Sequence, residues 1–170
     1  MQLKHWPFFL TFETKDLRIF GLDKYNYFTN ISGFDFEFES IGIKGIIKKV
    51  ARFTFMQSPF IYNFGFGDLN ESTGDISDTV VSNNGDQDKI MGTLGSIIFD
   101  FTTLNSDAQI FIEGTNAVRT RLYQMNISKY WNQIDLFFEV LGLKEDKWYP
   151  FKKGINYEGF LGRRKMPFLI

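Results

Sequence analysis

The stretch "FDFEFES" alternates without a break: Phe34, Phe36 and Phe38 fall on one face of an extended chain, Asp35, Glu37 and Glu39 on the other. A period of two with one apolar and one charged face predicts a half-buried strand. Gly42 and Gly45 of "SIGIKG" supply a turn. "IIKKVARFTFM" then reads as a second strand, rich in β-branched and aromatic residues. Its Lys48, Lys49 and Arg52 are expected to face the acids of the first strand across an antiparallel pair. "PFIYNFGFGDL" gives a third strand, with Phe60, Tyr62, Phe64 and Phe66 on one face. Its other face carries Asn63, Gly65 and Gly67, which predicts a neighbour packed close over that backbone.

The period then changes. Residues 68 to 88 read as a long acidic loop, with Asp68, Glu71, Asp75, Asp78, Asp86 and Asp88. "SNNGDQDKI" opens a helix in which Ser82, Asn83 or Asn84 can cap and Asp86 and Asp88 sit near the positive end. Ile90, Met91, Leu94, Ile97, Ile98 and Phe101 follow at helical spacing. Gly92 and Gly95 lower the propensity of this helix, so a closely packed neighbour is expected. "AQIFIEG" is a fourth strand. "EGTNAVRTRLYQ" turns into a second helix that runs to about Gln133, and "DLFFEVLGL" is a fifth strand. Residues 1 to 23 form an N-terminal extension without a clear pattern. The tail "WYPFKKGINYEGFLGRRKMPFLI" offers turn glycines, anchoring aromatics and the basic cluster Arg163, Arg164 and Lys165.

The order βββαβαβ defines an α+β class: a single domain with an antiparallel-rich mixed sheet of about five or more strands and two principal helices packed on it. Phe34, Phe36, Phe38, Ile90, Leu94, Ile97, Ile98, Ile110 and Leu122 are expected to share one core. With 170 residues the chain suits one domain. With 21 Phe, 7 Tyr and 3 Trp, aromatic rings rather than aliphatic chains fill its interior.

Composition also narrows the chemistry. There is no cysteine, which removes disulfides, thiolate metal sites and a thiol nucleophile. A single histidine, His5, rules out a multi-histidine zinc site within one chain. A net charge of -1 argues against a surface that grips nucleic acid all over, though not against a local basic patch. No apolar run reaches the length of a membrane span, so a cytoplasmic protein without membrane contact is expected. The acidic loop fails the calcium-loop pattern: counted from Asp68, the sixth residue is Thr73 rather than Gly and the twelfth is Thr79 rather than Glu. No metal and no cofactor is assigned. Aromatic strands beside Lys44, Lys48, Lys49 and Arg52 could stack single-stranded nucleic acid, but Phe at period two is more simply core.

The second helix start raises the sharpest question. Thr115 can cap it, leaving free N–H groups at its end, with Arg119, Arg121 and Tyr123 just inside. Arg119 and Arg121 point to different sides of a helix, so one phosphate at that end cannot easily use both. Val118, Leu122 and Met125 make one apolar stripe; Tyr123, Ile127, Tyr130 and Ile134 make a second. A helix apolar on two sides is buried twice or shared with a partner. The spacing favours Arg119 tying helix to sheet through carboxylates or carbonyls, and a homodimer that uses Tyr123, Ile127, Tyr130 or neighbouring strand surface.

Four motifs stand in order: "YNFGFGD" (Tyr62 to Asp68), "SNNGDQDKIMGTL" (Ser82 to Leu94), "GTNAVRTRLY" (Gly114 to Tyr123) and "YEGFLGRRK" (Tyr157 to Lys165). Together they resemble an uncharacterised family of small bacterial proteins, marked by YNxxFGD, SNNGDxxK, GxxxxRTRLY and YExFxxRK. The resemblance covers about residues 24 to 165. Thr115-Asn116, Gly92 and Gly95 depart from the pattern. The family implies no activity, but it does imply that FGD, SNNGD and RTRLY belong to one shared feature. Asp68, Asn83, Asn84, Asp86, Thr115, Arg119, Arg121 and Tyr123 are the candidate ligand-binding residues. A non-enzymatic binding module is the preferred function, with itself, nucleic acid or a protein as partner. The kind of family it resembles suggests a bacterial toxin–antitoxin or defence pair. The alternative is a metal-assisted phosphodiester or nucleotide-processing enzyme using Asp68 and Asp86 with Arg119 and Arg121. An enzyme would need Asp68, Asp86 and an arginine to converge in one open pocket.

Overall fold

A computed structural model describes residues 21–56, 60–77 and 82–165. The first three predicted strands form an antiparallel meander: β2 (Asp35–Gly42), β3 (Gly45–Phe55) and β4 (Ile61–Leu69). A short strand precedes them, β1 (Tyr27–Thr29), paired with β2. Most of the stretch from 1 to 23 lies outside the described residues.

The alternation in β2 works as the sequence predicts. Phe36 and Phe38 are buried, and Tyr25, Phe53 and Phe64 join them. Each such side chain contributes about 1.5–3 kcal/mol on burial. Phe34 lies at the margin and stays 37% exposed, although its ring stacks on Tyr62. On the opposite face Arg52 grips Asp35 at 2.7 Å, directly across the β2–β3 pair. Lys49 departs from the expected charge ladder. It is in phase with Ala51 and Phe53, not with Lys48 and Arg52, and is only 3% exposed on the core side.

The acidic segment is partly strand. Ile76–Ser77 (β5) pairs back onto the end of β4. This is the close neighbour predicted above the glycines: a Cβ on Gly67 would stand 2.6 Å from Ile76 Cγ2.

Helix α1 (Gln87–Leu104) lies over the meander, with Leu94, Ile97 and Phe101 buried at helical spacing. Phe101 stacks face to face on Phe53, with centroids 3.8 Å apart. Gly92 has the expected packing role, since a Cβ there would come within 2.3 Å of the Asp23 carbonyl oxygen. The helix is capped by Asp86, whose side chain makes no cap hydrogen bond, and not by Ser82, Asn83 or Asn84.

Strand β6 (Gln109–Ile112) then pairs in parallel with β4. Helix α2 (Ala117–Lys129) follows, and the chain breaks direction at Tyr130 into a short third helix, α3 (Trp131–Phe137). The fifth predicted strand therefore starts late, as β7 (Phe138–Lys144), because Asp135 to Phe137 still wind helically. The tail, read from sequence only as turns and anchors, holds β8 (Lys147–Pro150) and β9 (Gly159–Arg164). β9 inserts between β6 and β7, antiparallel to both.

The result is an α+β domain with a nine-stranded, mostly antiparallel sheet and three helices among the described residues. A second hydrophobic cluster, around Phe138, Val140, Phe151, Tyr157 and Phe160, lies under α2 and α3. Tyr123, Ile127 and Ile134 pack against it, and Tyr130 is buried. The second apolar stripe of α2 is therefore core and cannot form the expected dimer face. The first stripe is the outward one: Val118 is 79% exposed, and Leu122, expected in the core, is at the surface.

Candidate functional site

Three of the sequence motifs meet in one cleft. Its volume is about 280 Å³, and it opens between the end of β4, the loop before α1 and the first turns of α2. Lys49 and Asp68 are Cα partners across β3 and β4, so strand register alone brings them together. The Lys49 ammonium donates to Asp68 Oδ1 and to Ser82 Oγ. Ser82 Oγ also lies 3.2 Å from the same carboxylate oxygen. This buried ion pair pins the start of the SNNGD loop to the sheet, and Phe66 lies beneath the ammonium, 5.8 Å from ring centroid to Nζ.

Asn84 holds the rest of the loop. It is 2% exposed, and its amide nitrogen donates to Ser40 Oγ at 2.9 Å and to the Gly45 carbonyl at 3.1 Å. Its Oδ1 accepts from the Lys44 N–H at 2.7 Å. These bonds dock the loop on the β2–β3 turn. Asn84 is thus an anchor, while Asn83 beside it is exposed at the cleft.

Asp86 is fixed by two hydroxyls. Tyr25 Oη and Ser40 Oγ donate to its Oδ2, at 2.8 and 2.6 Å. Its Oδ1 is buried without a hydrogen-bond partner among the described residues. Burial first, and the Asp86 carboxylate with it, push the Tyr25 phenol above its ordinary range.

Helix α2 supplies the opposite wall. Its cap is Asn116, not Thr115: the Asn116 side chain accepts the Arg119 N–H at 3.0 Å. Asparagine is the stronger cap, and the helix starts one residue later than Thr115 would start it. Thr115 is exposed and lies outside the cleft. Arg119, Leu122, Tyr123 and Asn126 line the cleft at spacings of three, four and seven, one face of a helix. Arg121 points elsewhere and is exposed. Arg119 does not tie helix to sheet. It is half-buried, and its guanidinium has no hydrogen bond or ion pair among the described residues. The carboxylate tie is made instead at the other end of α2, and to α1 rather than to the sheet: Lys129 Nζ and Tyr130 Oη donate to Asp88 Oδ1 at 2.7 and 2.6 Å. Those two bonds, Lys129 first, hold the Asp88 carboxyl below its usual range.

The cleft thus combines, among the described residues, one unpaired cation, carboxylates already engaged by their neighbours, the amides of Asn83, Gln87 and Asn126, and apolar surface from Phe66, Met91 and Leu122. Among the described residues no group of three or more His, Asp or Glu is placed to hold a metal. Of the residues singled out from the sequence, Asp68, Asn83, Asn84, Asp86, Arg119 and Tyr123 line the cleft, and Thr115 and Arg121 do not. Lys49, Ser82 and Asn126 were missed as such. Lys49 carried a signal: it is the one charge in phase with Ala51 and Phe53.

The chain belongs to DUF6934, a family of unknown function, whose family model matches residues 21–165. No curated protein and no solved structure matches it.

Proposed function

We propose that this protein is a non-enzymatic binding module that holds an anionic ligand in the cleft, with Arg119 as its recognition group. The observation that carries this is the half-buried guanidinium without a carboxylate partner among the described residues, on the wall of a cleft that also offers amides and apolar surface. A guanidinium forks onto two oxygens of a phosphate or carboxylate at once. A terminal phosphate of single-stranded nucleic acid is the first ligand to test. Fluorescence anisotropy with a 5′-phosphorylated oligonucleotide should give binding that Arg119→Ala weakens at least ~10-fold, with a salt slope shallower by about 1, while Arg121→Ala leaves it near wild type. Unchanged affinity in Arg119→Ala would remove the proposal.

The enzyme reading keeps one observation in its favour: Asp68, Asp86 and Arg119 do line one cleft. Both carboxylates, however, are engaged by neighbours, Asp68 by Lys49 and Ser82, Asp86 by Tyr25 and Ser40. That commitment suits a scaffold better than a pair of groups free to move protons or hold metal.

We also propose self-association through Val118, Leu122 and Met125, the outward stripe of α2. Light scattering at high micromolar concentration should report a dimer, and Val118→Lys with Met125→Glu a monomer. A monomer for the unaltered chain would reject this interface.

A further inference from the structure

The two hydrophobic clusters do not close on each other. Between them, over the sheet and under α1 and α2, lies a cavity of about 150 Å³. Its walls are almost entirely carbon, from Leu94 and Ile98 of α1, Ile127 of α2, Ile134 of α3, and Ile110 and Val140 of the sheet. Gly162 accounts for part of the room. It faces Ile110 and Val140 across β9, and a Cβ built on it would approach no atom more closely than 4.0 Å. Protein interiors ordinarily pack as densely as organic crystals, so a half-open apolar space of this size is uncommon. An engineered cavity of about 150 Å³ with such a lining stays dry and takes up benzene, a six-carbon guest.

The cavity is next to the cleft. Met91, Tyr123 and Asn126 line both, so single side chains separate the two spaces. That partition is soft. Met91 is unbranched and readily changes rotamer. Asn126 is held by Gln87 across 3.4 Å, long for a hydrogen bond. The helix sets the spacing: from Arg119 at the cleft to Ile127 at the cavity is about 12 Å at a rise of about 1.5 Å per residue.

We infer that the cavity is a second subsite of the same ligand site, and that the ligand is an anionic amphiphile of medium chain length. Its carboxylate or phosphate pairs with Arg119, and an apolar group of about six carbons passes the Met91–Tyr123–Asn126 partition into the cavity. The head-group half of this inference rests on the role proposed for Arg119; the tail half rests on the cavity alone.

The test uses the full chain and three probes: octanoate, octanol and inorganic phosphate. Methyl NMR should show Leu94, Ile98 and Ile127 shifting with octanoate and octanol but not with phosphate. Octanoate should bind at least 10-fold more tightly than octanol, and Arg119→Ala should abolish that preference without affecting octanol. Gly162→Ala should weaken both chain probes and leave phosphate unaffected. Cavity methyl groups that stay still under both octanoate and octanol would overturn the inference, and this needs no variant. Octanol binding without an octanoate preference would sink the head-group half and with it the role of Arg119. Oligonucleotide binding alone, with silent cavity methyl groups, would leave the cleft reading standing and remove the second subsite.

Discussion

The two halves of the sheet are held by different kinds of pairing. From β1 to β4 each strand pairs with the one before it, and the turns between them are short. In the order β6–β9–β7–β8 the last strand of the chain, β9, lies between β6 and β7, so that Gln109 faces Arg163. The cores differ as well. Under α1 the rings interlock, with Phe101 stacked on Phe53 and edge-on to Tyr62. Under α2 and α3, Phe160 meets Phe151 and Tyr157 on one side and the cavity on the other. One half is locally paired, with its rings interlocked around Phe101; the other is assembled from distant segments, and the room lies where it meets the first.

Removing a ring from each half tests this difference with the largest expected effects. Phe101→Ala should destabilise by about 3–5 kcal/mol, the usual range for a fully packed aromatic. Phe160 is equally buried but already borders empty space. Its neighbours lose fewer contacts when it goes, so Phe160→Ala should cost at least ~1 kcal/mol less. Denaturant melts compare the two; equal costs would mean that the second core is as tightly packed as the first.

The same contrast decides what could be read from the sequence. In β2, β3 and β4 the apolar phase, turn glycines and pairing partner all lie within a few tens of residues, and the pattern was legible. The helix over them was legible too, since Leu94, Ile97 and Phe101 recur on one face. β9 was not. "GFLGRR" has two glycines and two arginines, and no period of two marks its faces. Its arginines satisfy themselves through tertiary contacts: Arg163 grips Glu139 at 2.6 Å, while Arg164 donates to the Phe99 carbonyl at 3.1 Å and lies over the Phe99 ring. Nor could α2 be oriented from its own residues. It carries two apolar stripes, and only the second cluster, built from β7, β9 and the tail, selects the stripe that is buried. The candidate site was half legible for the same reason. The motifs named its walls, but the burial of Lys49 depends on where the Ser82 loop returns.

Within the first half, two ion pairs on opposite faces of β3 sharpen the comparison. Lys49–Asp68 is on the core side, Arg52–Asp35 on the solvent side. Lys49→Met should cost about 3–5 kcal/mol by leaving Asp68 with an uncompensated, partly buried charge. Lys49→Met combined with Asp68→Asn should recover much of that. Arg52→Ala should cost less, because this bidentate pair is only half-buried and water can solvate the carboxylate left behind. Equal costs for the two single variants would mean that Lys49 is better solvated than its burial suggests.

Acid separates two other carboxylates by sign. Lys129 and Tyr130 hold the folded-state pKa of Asp88 below its unfolded value. Its contribution to stability is therefore present above the unfolded carboxylate range, near about 3.9, and is lost as pH falls through the lower folded value. Glu37, on the solvent face of the meander, is raised, first by burial and then by Asp35. It opposes folding above its folded-state pKa, and that opposition disappears as pH falls below the unfolded value. Stability measured against pH should therefore lose acid sensitivity in Asp88→Asn and lose a neutral-pH penalty in Glu37→Gln. The reverse assignment would show that these contacts do not persist in solution.

The smallest expected effect on stability belongs to Arg119. An arginine that locks helix to sheet through a buried carboxylate would cost several kcal/mol to remove. Here the guanidinium has no such partner among the described residues, and the start of α2 is secured instead by the Asn116 cap and by the Gly114 N–H donating to Thr120 Oγ1 at 3.1 Å. Arg119→Ala removes neither bond. Its unfolding midpoint should stay within the range of an ordinary surface substitution, about ±0.5 kcal/mol. Asn116→Ala, which keeps Arg119 but removes the cap, should cost about 1 kcal/mol. Stability and binding should thus separate along one turn of helix, with Asn116→Ala melting earlier and Arg119→Ala losing ligand. A large drop in midpoint for Arg119→Ala would instead make this arginine part of the scaffold, and the cleft would lose the group proposed to recognise its ligand.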